Sequence, residues 1–149
     1  MASARVSPAT ILIVDDHPAC RDSWALLCQD LWPEVHCLEV GTLGEAVVLL
    51  EGRAAVDLVL SDLRLPDSSP RHTVETLAAL VPADIPIILI SGSVLPLEGY
   101  DMLRLGADAF VLKGTDIYKM QARIYMAWAH ACGRQHRHAA PLIGQSERP

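Results

Sequence analysis

Short apolar runs alternate along the chain with segments in which apolar residues recur at helical spacing. Each run is four to six residues long and mostly aliphatic, which is typical of a buried strand. The predicted strands are Ile11–Val14, Val35–Val40, Leu58–Ser61, Ile87–Ile90 and Ala109–Leu112. The predicted helices follow the strands in turn: from Pro18 to the Trp32-Pro33 stop, then Leu43–Leu50, Thr73–Val81, Pro96–Leu105 and Asp116–Cys132.

Five strand–helix units in succession predict an α/β domain with a parallel sheet, right-handed crossovers and helices on both faces. Polar His36 and Glu39 interrupt the second run and favour an edge position for that strand. The flavodoxin-like, doubly wound (βα)5 sheet has strand order 2-1-3-4-5, so the first, third, fourth and fifth strands would lie side by side. After Gly133 the composition shifts to polar residues. The predicted domain therefore spans residues 9–132, and residues 133–149 are predicted to be a disordered tail or a frayed helix end.

Four of the apolar runs stop at polar side chains. Asp15 and Asp16 follow the first run, Asp62 the third, Ser91 the fourth and Lys113 the fifth. The carboxyl ends of parallel strands form the crevice where ligands bind, so these side chains are expected to converge. Neighbouring carboxylates repel one another unless a cation lies among them, and oxygen ligands favour Mg²⁺. Since a carboxylate can also form an aspartyl-phosphate, the pattern predicts a magnesium site beside a phosphoryl acceptor.

Composition narrows the classes of partner. The 149 residues are 51% hydrophobic and 5% aromatic, which suits one domain with an aliphatic core. The formal net charge is −6 and no basic block occurs in the first 130 residues, which argues against direct nucleic-acid binding. The four cysteines form no C-x-x-C pair and are expected to be reduced. The first apolar run is too short for a signal peptide or a membrane span, so we expect a cytoplasmic protein without membrane contact.

In these motifs the chain resembles the CheY-like receiver domain of two-component response regulators. The resemblance covers about residues 9–132 and rests on the Asp15-Asp16 pair, Asp62 with Pro66 following, Ser91, and Phe110 three residues before Lys113. It implies signalling by a phosphoryl group accepted from a histidine kinase or a histidine phosphotransfer protein, with Mg²⁺ as cofactor. It implies no enzyme activity beyond self-phosphorylation from small phosphodonors and intrinsic dephosphorylation.

The resemblance also implies a role for each motif residue. Asp62 would be the phosphoacceptor, and Ser91 and Lys113 would hold the phosphoryl oxygens. Phe110 would be the switch aromatic, which changes rotamer when Ser91 moves toward the phosphate. The metal ligands would be Asp15, Asp16, Asp62 and the backbone carbonyl of Arg64.

The last helix carries apolar residues beyond its predicted inward face, namely Tyr118, Tyr125 and Met126. In the family, the face made by the fourth helix, the fifth strand and the fifth helix often binds a dimer mate or an output partner, which makes it a candidate surface here. The chain would be a stand-alone receiver or the N-terminal fragment of a longer regulator. Ser91-Gly92-Ser93 and Lys113-Gly114 are similar to receivers that precede a helix-turn-helix DNA-binding domain.

Three positions depart from the usual family pattern. Gly114 follows the lysine where Pro is usual, and a cis bond without Pro costs about 2.5–4 kcal/mol, so a trans or adjusted loop is expected. The loop 66–71 after the phosphoacceptor has no Gly, although the family usually has one. Gly92 stands where Ala is commoner after the switch hydroxyl. None of these changes removes a chemical group from the predicted site.

Two other functions fit parts of the pattern. A pseudo-receiver, acting as a phosphate-independent interaction module, would share the fold, but its signature would be the loss of Asp15, Asp16 or Lys113. A haloacid dehalogenase-type phosphatase also uses a strand-end aspartate, but it needs a second Asp two residues on, where this chain has Arg64. His17, beside the acidic pair, is either a surface residue of the first helical turn or a residue that tunes metal binding.

Overall fold

The computed structural model describes residues 6–92 and 96–146, with side chains through Gly133 except those of residues 96 and 97. The strands are β1 Thr10–Val14, β2 His36–Val40, β3 Leu58–Asp62, β4 Ile87–Ser91 and β5 Ala109–Leu112. The helices are α1 Pro18–Leu31, α2 Leu43–Glu51, α3 Pro70–Leu80, α4 Pro96–Leu105 and α5 Ile117–Ser146. Apart from the end of α5, the bounds lie within a few residues of those predicted from the sequence.

All five strands are parallel and lie in the order β2-β1-β3-β4-β5. This confirms the predicted flavodoxin-like α/β fold, including the edge position of β2. The three inner strands are fully buried apart from the first residue of β1, whereas β2 is half exposed. This difference explains why β1, β3 and β4 are almost entirely aliphatic while β2 tolerates charged residues.

The register of the sheet brings the carboxyl ends of the strands to one edge. Asp62 at the end of β3 pairs with Ile90, and Ser91 at the end of β4 pairs with Leu112. Val14, the last residue of β1, pairs with the residue before Asp62. The polar residues that end β1, β3, β4 and β5 therefore meet at a common edge, as the sequence pattern predicts.

Two apolar layers cover the sheet, and β1 contributes to both because its side chains alternate between faces. Ile11 and Ile13 pack into the layer formed with α1 and α5, and Leu12 and Val14 pack into the layer formed with α2, α3 and α4. The first layer also holds Trp24, Cys28, Ile124 and Trp128, and the second holds Leu43, Val74, Leu77 and Met102. Each fully buried aliphatic side chain contributes about 1.5–3 kcal/mol to the fold that positions the edge.

Two glycines occupy backbone conformations that other residues rarely adopt. Gly106 ends α4 at φ +125°, and a Cβ there would lie 2.8 Å from the Cβ of Ala78 on α3. Gly114 follows Lys113 at φ +81°, and no peptide bond of the described residues is cis. The loop after Lys113 is therefore trans, as expected from the missing proline, and glycine supplies its turn.

The backbone of α5 continues to Ser146, whereas the sequence pattern places the end of this helix near Cys132. The side chains after Gly133 and the last three residues lie outside the described part of the chain. The tail predicted for residues 133–149 therefore stays a prediction.

The cysteines form no disulfide with one another. Burial, with a smaller contribution from Cys37, raises the pKa of Cys28 to about 12, so Cys28 behaves as an inert core residue. Among the described residues, no helix has both the length and the apolar composition needed to cross a membrane.

Candidate functional site

Lys113 lies between two carboxylates at the open edge of the sheet. Its Nζ donates to Asp62 Oδ2 at 3.0 Å and lies 3.3 Å from Asp15 Oδ2. Both aspartates are buried, whereas about a quarter of the Lys113 side chain is exposed. The structure thus brings together three of the residues that the sequence assigns to the site, from the ends of β1, β3 and β5.

The charge of Lys113 is stabilised by its neighbours. Burial by itself would lower the pKa of this amine, but the hydrogen bond and the charge of Asp62, helped by Asp15, outweigh burial and raise the pKa above its ordinary value. Lys113 is therefore a permanent ammonium at neutral pH. It neutralises about one of the negative charges at the edge.

Two buried carboxylate oxygens at this edge accept no hydrogen bond. Asp15 Oδ2 and Asp16 Oδ1 are buried atoms without a hydrogen-bond partner, although Asp15 Oδ2 has the ion pair with Lys113. One donor atom each from Asp15, Asp16, His17 and Asp62 lies within 4.8 Å of the others. Buried carboxylate oxygens that lack partners are costly, and a divalent cation satisfies them. The donor set therefore fits the magnesium ion predicted from the sequence.

The loop after β3 holds the carboxylate of Asp62 in place. The backbone N–H of Arg64 donates to Asp62 Oδ1 at 3.1 Å, which turns Oδ2 toward Lys113. The Arg64 guanidinium extends to α4 and donates to Glu98 Oε1 at 2.9 Å. This ion pair connects the loop of Asp62 to α4 and was not predicted, because Glu98 has no motif in the sequence. The metal contact predicted for the Arg64 carbonyl stays a prediction.

Asp67 joins the same loop to α2. Its two carboxylate oxygens accept hydrogen bonds from the backbone N–H groups of Leu43 at 3.1 Å and Gly44 at 2.9 Å. The bond from Gly44, opposed by slight burial and aided by Leu43, lowers the pKa of Asp67. Thr42 caps the next N–H group through its hydroxyl. Asp67 therefore caps the N-terminus of α2 and anchors the glycine-free loop 66–71 to that helix.

Ser91 and Phe110, the residues predicted to form a switch, lie on the adjacent strands β4 and β5. Ser91 is buried at the end of β4, and its carbonyl accepts a hydrogen bond from the backbone N–H of Lys113 at 2.8 Å. Phe110 is half buried on the edge strand β5, pairs with Leu89 and packs against the apolar layer of α2, α3 and α4. The segment 93–95, which includes Ser93, lies outside the described residues. The rotamer change of Phe110 stays a prediction.

His17 stands directly beside the acidic pair. Its backbone N–H donates to Asp15 Oδ1 at 3.0 Å, and its Nδ1 lies 3.4 Å from Asp15 Oδ1 and 3.2 Å from Asp16 Oδ1. About two thirds of the His17 side chain is exposed. The structure places this exposed side chain beside the candidate cation site, and its influence on a bound cation stays a prediction.

The apolar residues of α5 do not all face α4. The ring of Tyr125 stacks on Trp32 at the end of α1, with centroids 6.3 Å apart. Tyr118 and Met126 are strongly exposed. Tyr125 therefore lies on the side of α5 that faces α1. The partner surface predicted on α4, β5 and α5 stays a prediction.

Comparison with known proteins gives the family. The model of the response regulator receiver domain matches residues 11–125. Sensory transduction protein RegX3 of Mycobacterium tuberculosis is 32% identical over 115 residues, which cover 77% of this chain and 48% of that protein. The Gliding motility regulatory protein of Myxococcus xanthus is 32% identical over 108 residues, which cover 70% of this chain and 13% of that protein. The chain thus spans about half, or less, of the length of these curated relatives.

Solved structures agree with the family match. A CheY-like response regulator receiver domain protein from Methanospirillum hungatei superposes with a TM-score of 0.73 at 26% identity, over 84% of this chain and 97% of that chain. The receiver domain of the response regulator NarL from Mycobacterium tuberculosis has a TM-score of 0.67 at 21% identity, over 83% of this chain and 98% of that chain, and supports the fold alone. The family match, the order of the strands and the acidic edge of the sheet all indicate the same family. The chain belongs to the response regulator receiver domain family.

Proposed function

We propose that this chain is a phosphorylation-dependent signalling receiver that accepts a phosphoryl group on Asp62 from the phosphohistidine of a histidine kinase or a histidine phosphotransfer protein. The position of Lys113, 3.0 Å from Asp62 and 3.3 Å from Asp15 at the open edge of the sheet, carries this proposal. Phosphoryl transfer is catalysed mainly by positioning and by neutralising oxygen charge. A fixed ammonium beside the acceptor carboxylate performs both tasks.

Asp62 is the nucleophile. A carboxylate oxygen of Asp62 attacks the phosphorus of phosphohistidine in line with the P–N bond. The new P–O bond forms as the P–N bond breaks, and the imidazole leaves with the electron pair and takes up a proton. The N–H of Arg64 fixes the orientation of the carboxylate for this attack. Water later hydrolyses the aspartyl-phosphate, releasing inorganic phosphate and restoring Asp62.

Asp15, Asp16, Asp62 and the carbonyl of Arg64 would hold Mg²⁺. When bound, this ion supplies positive charge to the phosphoryl oxygens and separates the carboxylates from one another. Asp15 Oδ2 and Asp16 Oδ1 are buried oxygens that accept no hydrogen bond, and they support this ligand set. Lys113, whose Nζ donates to Asp62 Oδ2 at 3.0 Å, would contact a phosphoryl oxygen on Asp62.

The hydroxyl of Ser91 donates a hydrogen bond to another phosphoryl oxygen. Phe110 changes rotamer when Ser91 moves. Ser91 and Phe110 lie on adjacent strands, and the backbone N–H of Lys113 donates to the carbonyl of Ser91. A movement of Ser91 toward the phosphoryl group is therefore transmitted directly to β5. The ion pair from Arg64 to Glu98 gives α4 a second connection to the same loop. The face of α4, β5 and α5 is the surface we propose for a dimer mate or an output partner.

The chain has no turnover activity in this proposal beyond self-phosphorylation from small phosphodonors and the loss of its own phosphate. Since it spans about half the length of RegX3, the match fits either a stand-alone receiver or the receiver of a longer regulator, for which we propose a DNA-binding domain. We propose a cytoplasmic location, where kinases of this kind deliver phosphoryl groups and thiols stay reduced.

The test is acceptance of phosphate from a small donor such as acetyl phosphate, with and without Mg²⁺, followed by mobility shift on a phosphate-binding gel. We expect a shifted band that requires Mg²⁺, is absent in Asp62→Asn and disappears in hydroxylamine, which cleaves acyl phosphates. The matched control is Asp22→Asn, which changes an exposed aspartate of α1 and should retain the band. A band that persists in Asp62→Asn would refute the assignment of the acceptor.

The same experiment separates this proposal from the pseudo-receiver. If the folded wild type takes no phosphate at saturating Mg²⁺ and donor, the domain acts as a phosphate-independent interaction module. The acidic edge would then contribute to structure alone.

A further inference from the structure

A second set of metal-binding atoms lies at the start of α1, next to the acidic edge. An oxygen of Asp15, a ring nitrogen of His17 and the sulfur of Cys20 lie within 4.8 Å of one another. His17 is the N-cap of α1, and Cys20 follows three residues later, a separation that brings two side chains to the same side of a helix. One oxygen, one nitrogen and one sulfur suit a transition cation, whereas Mg²⁺ takes oxygen ligands.

The distance between the nitrogen of His17 and the oxygen of Asp15 is close to that between two ligands of one metal ion. Tetrahedral zinc with bonds of about 2.0–2.1 Å places its oxygen and nitrogen ligands about 3.3–3.4 Å apart, and sulfur somewhat farther. The His17 Nδ1 lies 3.4 Å from Asp15 Oδ1 and 3.2 Å from Asp16 Oδ1. The approach to Asp16 is not a hydrogen bond, because Asp16 Oδ1 has no such partner. The imidazole is therefore close to the carboxylates without being bound to them strongly.

The three groups differ in exposure and in hydrogen bonding in a way that suits metal capture. Asp15 is buried and fixed, since its carbonyl accepts from Arg21 Nη1 at 2.7 Å and its Oδ1 accepts from the N–H of His17. The exposed His17 ring can rotate toward a cation. Cys20 is partly buried and lines an open groove of about 270 Å³ with Trp24, which gives an ion a path to the sulfur. The backbone N–H of His17, which donates to Asp15 Oδ1, provides the second-shell support that a ligating carboxylate needs.

We propose that Asp15, His17 and Cys20 bind a divalent transition cation of the Zn²⁺ or Co²⁺ class, with water completing its coordination. Asp15 belongs to this set and to the magnesium set. A cation on Cys20 therefore removes one ligand from the magnesium site and adds positive charge beside it. The two ions exclude one another, and the transition cation acts as an inhibitor of magnesium binding.

The test is a Co²⁺ titration of the reduced, Mg²⁺-free protein, followed through the near-ultraviolet charge-transfer band of a cobalt–thiolate bond. We expect this band at one Co²⁺ per chain in the wild type and in the control Cys37→Ala, which removes a partly buried cysteine of the edge strand β2. The band should vanish in Cys20→Ala, and His17→Ala should bind Co²⁺ at least about tenfold more weakly.

A wild type without the band, or a band that survives in Cys20→Ala, would overturn the proposal. Because His17 is exposed, His17→Ala should retain its fold and keeps the test decisive if Cys20→Ala is unstable. Co²⁺ bound instead by the tail histidines His136 and His138 would lack the sulfur band.

The exclusion of Mg²⁺ is measured separately, by calorimetric titration of Mg²⁺ with and without one equivalent of Zn²⁺. We expect one equivalent of Zn²⁺ to weaken Mg²⁺ binding at least about tenfold in the wild type and clearly less in Cys20→Ala, which lacks the thiolate ligand. Equal weakening in both proteins would mean that Zn²⁺ occupies the acidic edge itself and would contradict the proposal. Neither readout requires phosphate on Asp62, so failure here is distinguishable from failure of the proposed function.

Discussion

Neutralising Asp16 should stabilise the magnesium-free protein. The substitution Asp16→Asn keeps the shape of the side chain and removes one charge from a cluster in which one oxygen each of Asp15, Asp16 and Asp62 lies within 4.8 Å of the others. It breaks no hydrogen bond at Oδ1, because that atom has no partner. Lys113 compensates about one of the charges of Asp15 and Asp62, so Asp16 is left facing about one net negative charge.

The size of the effect follows from that distance. Because 4.8 Å is the upper limit of these separations, two unit charges repel by at least about 0.9 kcal/mol in bulk water and by at least about 3.5 kcal/mol at an effective dielectric constant of about 20. The side chain of Asp16 is 31% exposed, so solvent and salt screen the repulsion. We therefore expect the substitution to raise the free energy of unfolding by about 1–2 kcal/mol, in the lower half of that range. For a domain of this size, that gain raises the melting temperature by roughly 2–8 °C.

Magnesium should make the wild type more stable than Asp16→Asn, the reverse of their order in chelator. Mg²⁺ at ten times its dissociation constant stabilises the wild type by about 1.4 kcal/mol, and at one hundred times by about 2.7 kcal/mol. The variant lacks a ligand and gains less, so its advantage disappears as Mg²⁺ rises. The assay is thermal unfolding in a chelator and along a Mg²⁺ series at pH 8, where histidine side chains are ordinarily neutral.

The control is Asp22→Asn, which removes an exposed charge outside the cluster. It should change the melting temperature, both in chelator and in Mg²⁺, by no more than the equivalent of about 0.5 kcal/mol. The reasoning is refuted if Asp16→Asn melts below the wild type in chelator. It is equally refuted if Mg²⁺ raises the melting temperature of both proteins by the same amount.

Three further outcomes are expected. Lys113→Met should slow phosphoryl acceptance from acetyl phosphate by about 10²–10³-fold at saturating Mg²⁺, because a fixed donor is lost; an unchanged initial rate would exclude this role. Asp67→Ala should cost about 0.5–1 kcal/mol of unfolding free energy at pH 7 in denaturant titrations. Since the pKa of Asp67 is lowered, its contribution is present above the ordinary aspartate pKa, so this cost should shrink toward pH 3. Gly106→Ala should cost about 1–3 kcal/mol because its Cβ would meet Ala78 at a positive φ, whereas Gly133→Ala in α5 should be neutral or stabilising by up to about 1 kcal/mol.

The fold could be predicted from the sequence because local pattern and topology agree. The inner strands are aliphatic runs of one strand length, each followed by a helix, and only a parallel sheet with crossovers accommodates that order. Convergence of Asp15, Asp62 and Lys113 followed from topology alone, since each ends a strand. These residues could be identified before any distance was known.

Contacts between distant loops could not be predicted in this way. The cap that Asp67 provides for α2 and the ion pair from Arg64 to Glu98 join surface residues 23 to 34 positions apart, and nothing in the local pattern of either partner marks them. The stacking of Tyr125 on Trp32 likewise depends on how α5 crosses α1, which periodicity does not specify. Side-chain pairing between elements is set by the packed structure.

The most direct test of phosphoryl acceptance at Asp62 is two-dimensional amide NMR with beryllofluoride, a mimic of the phosphoryl group, in the presence and absence of Mg²⁺. The account predicts shifts that cluster around Asp62, Ser91 and Phe110, require Mg²⁺ and are absent in Asp62→Asn. A folded wild type whose spectrum does not change, or a variant that shifts in the same way, would contradict the account.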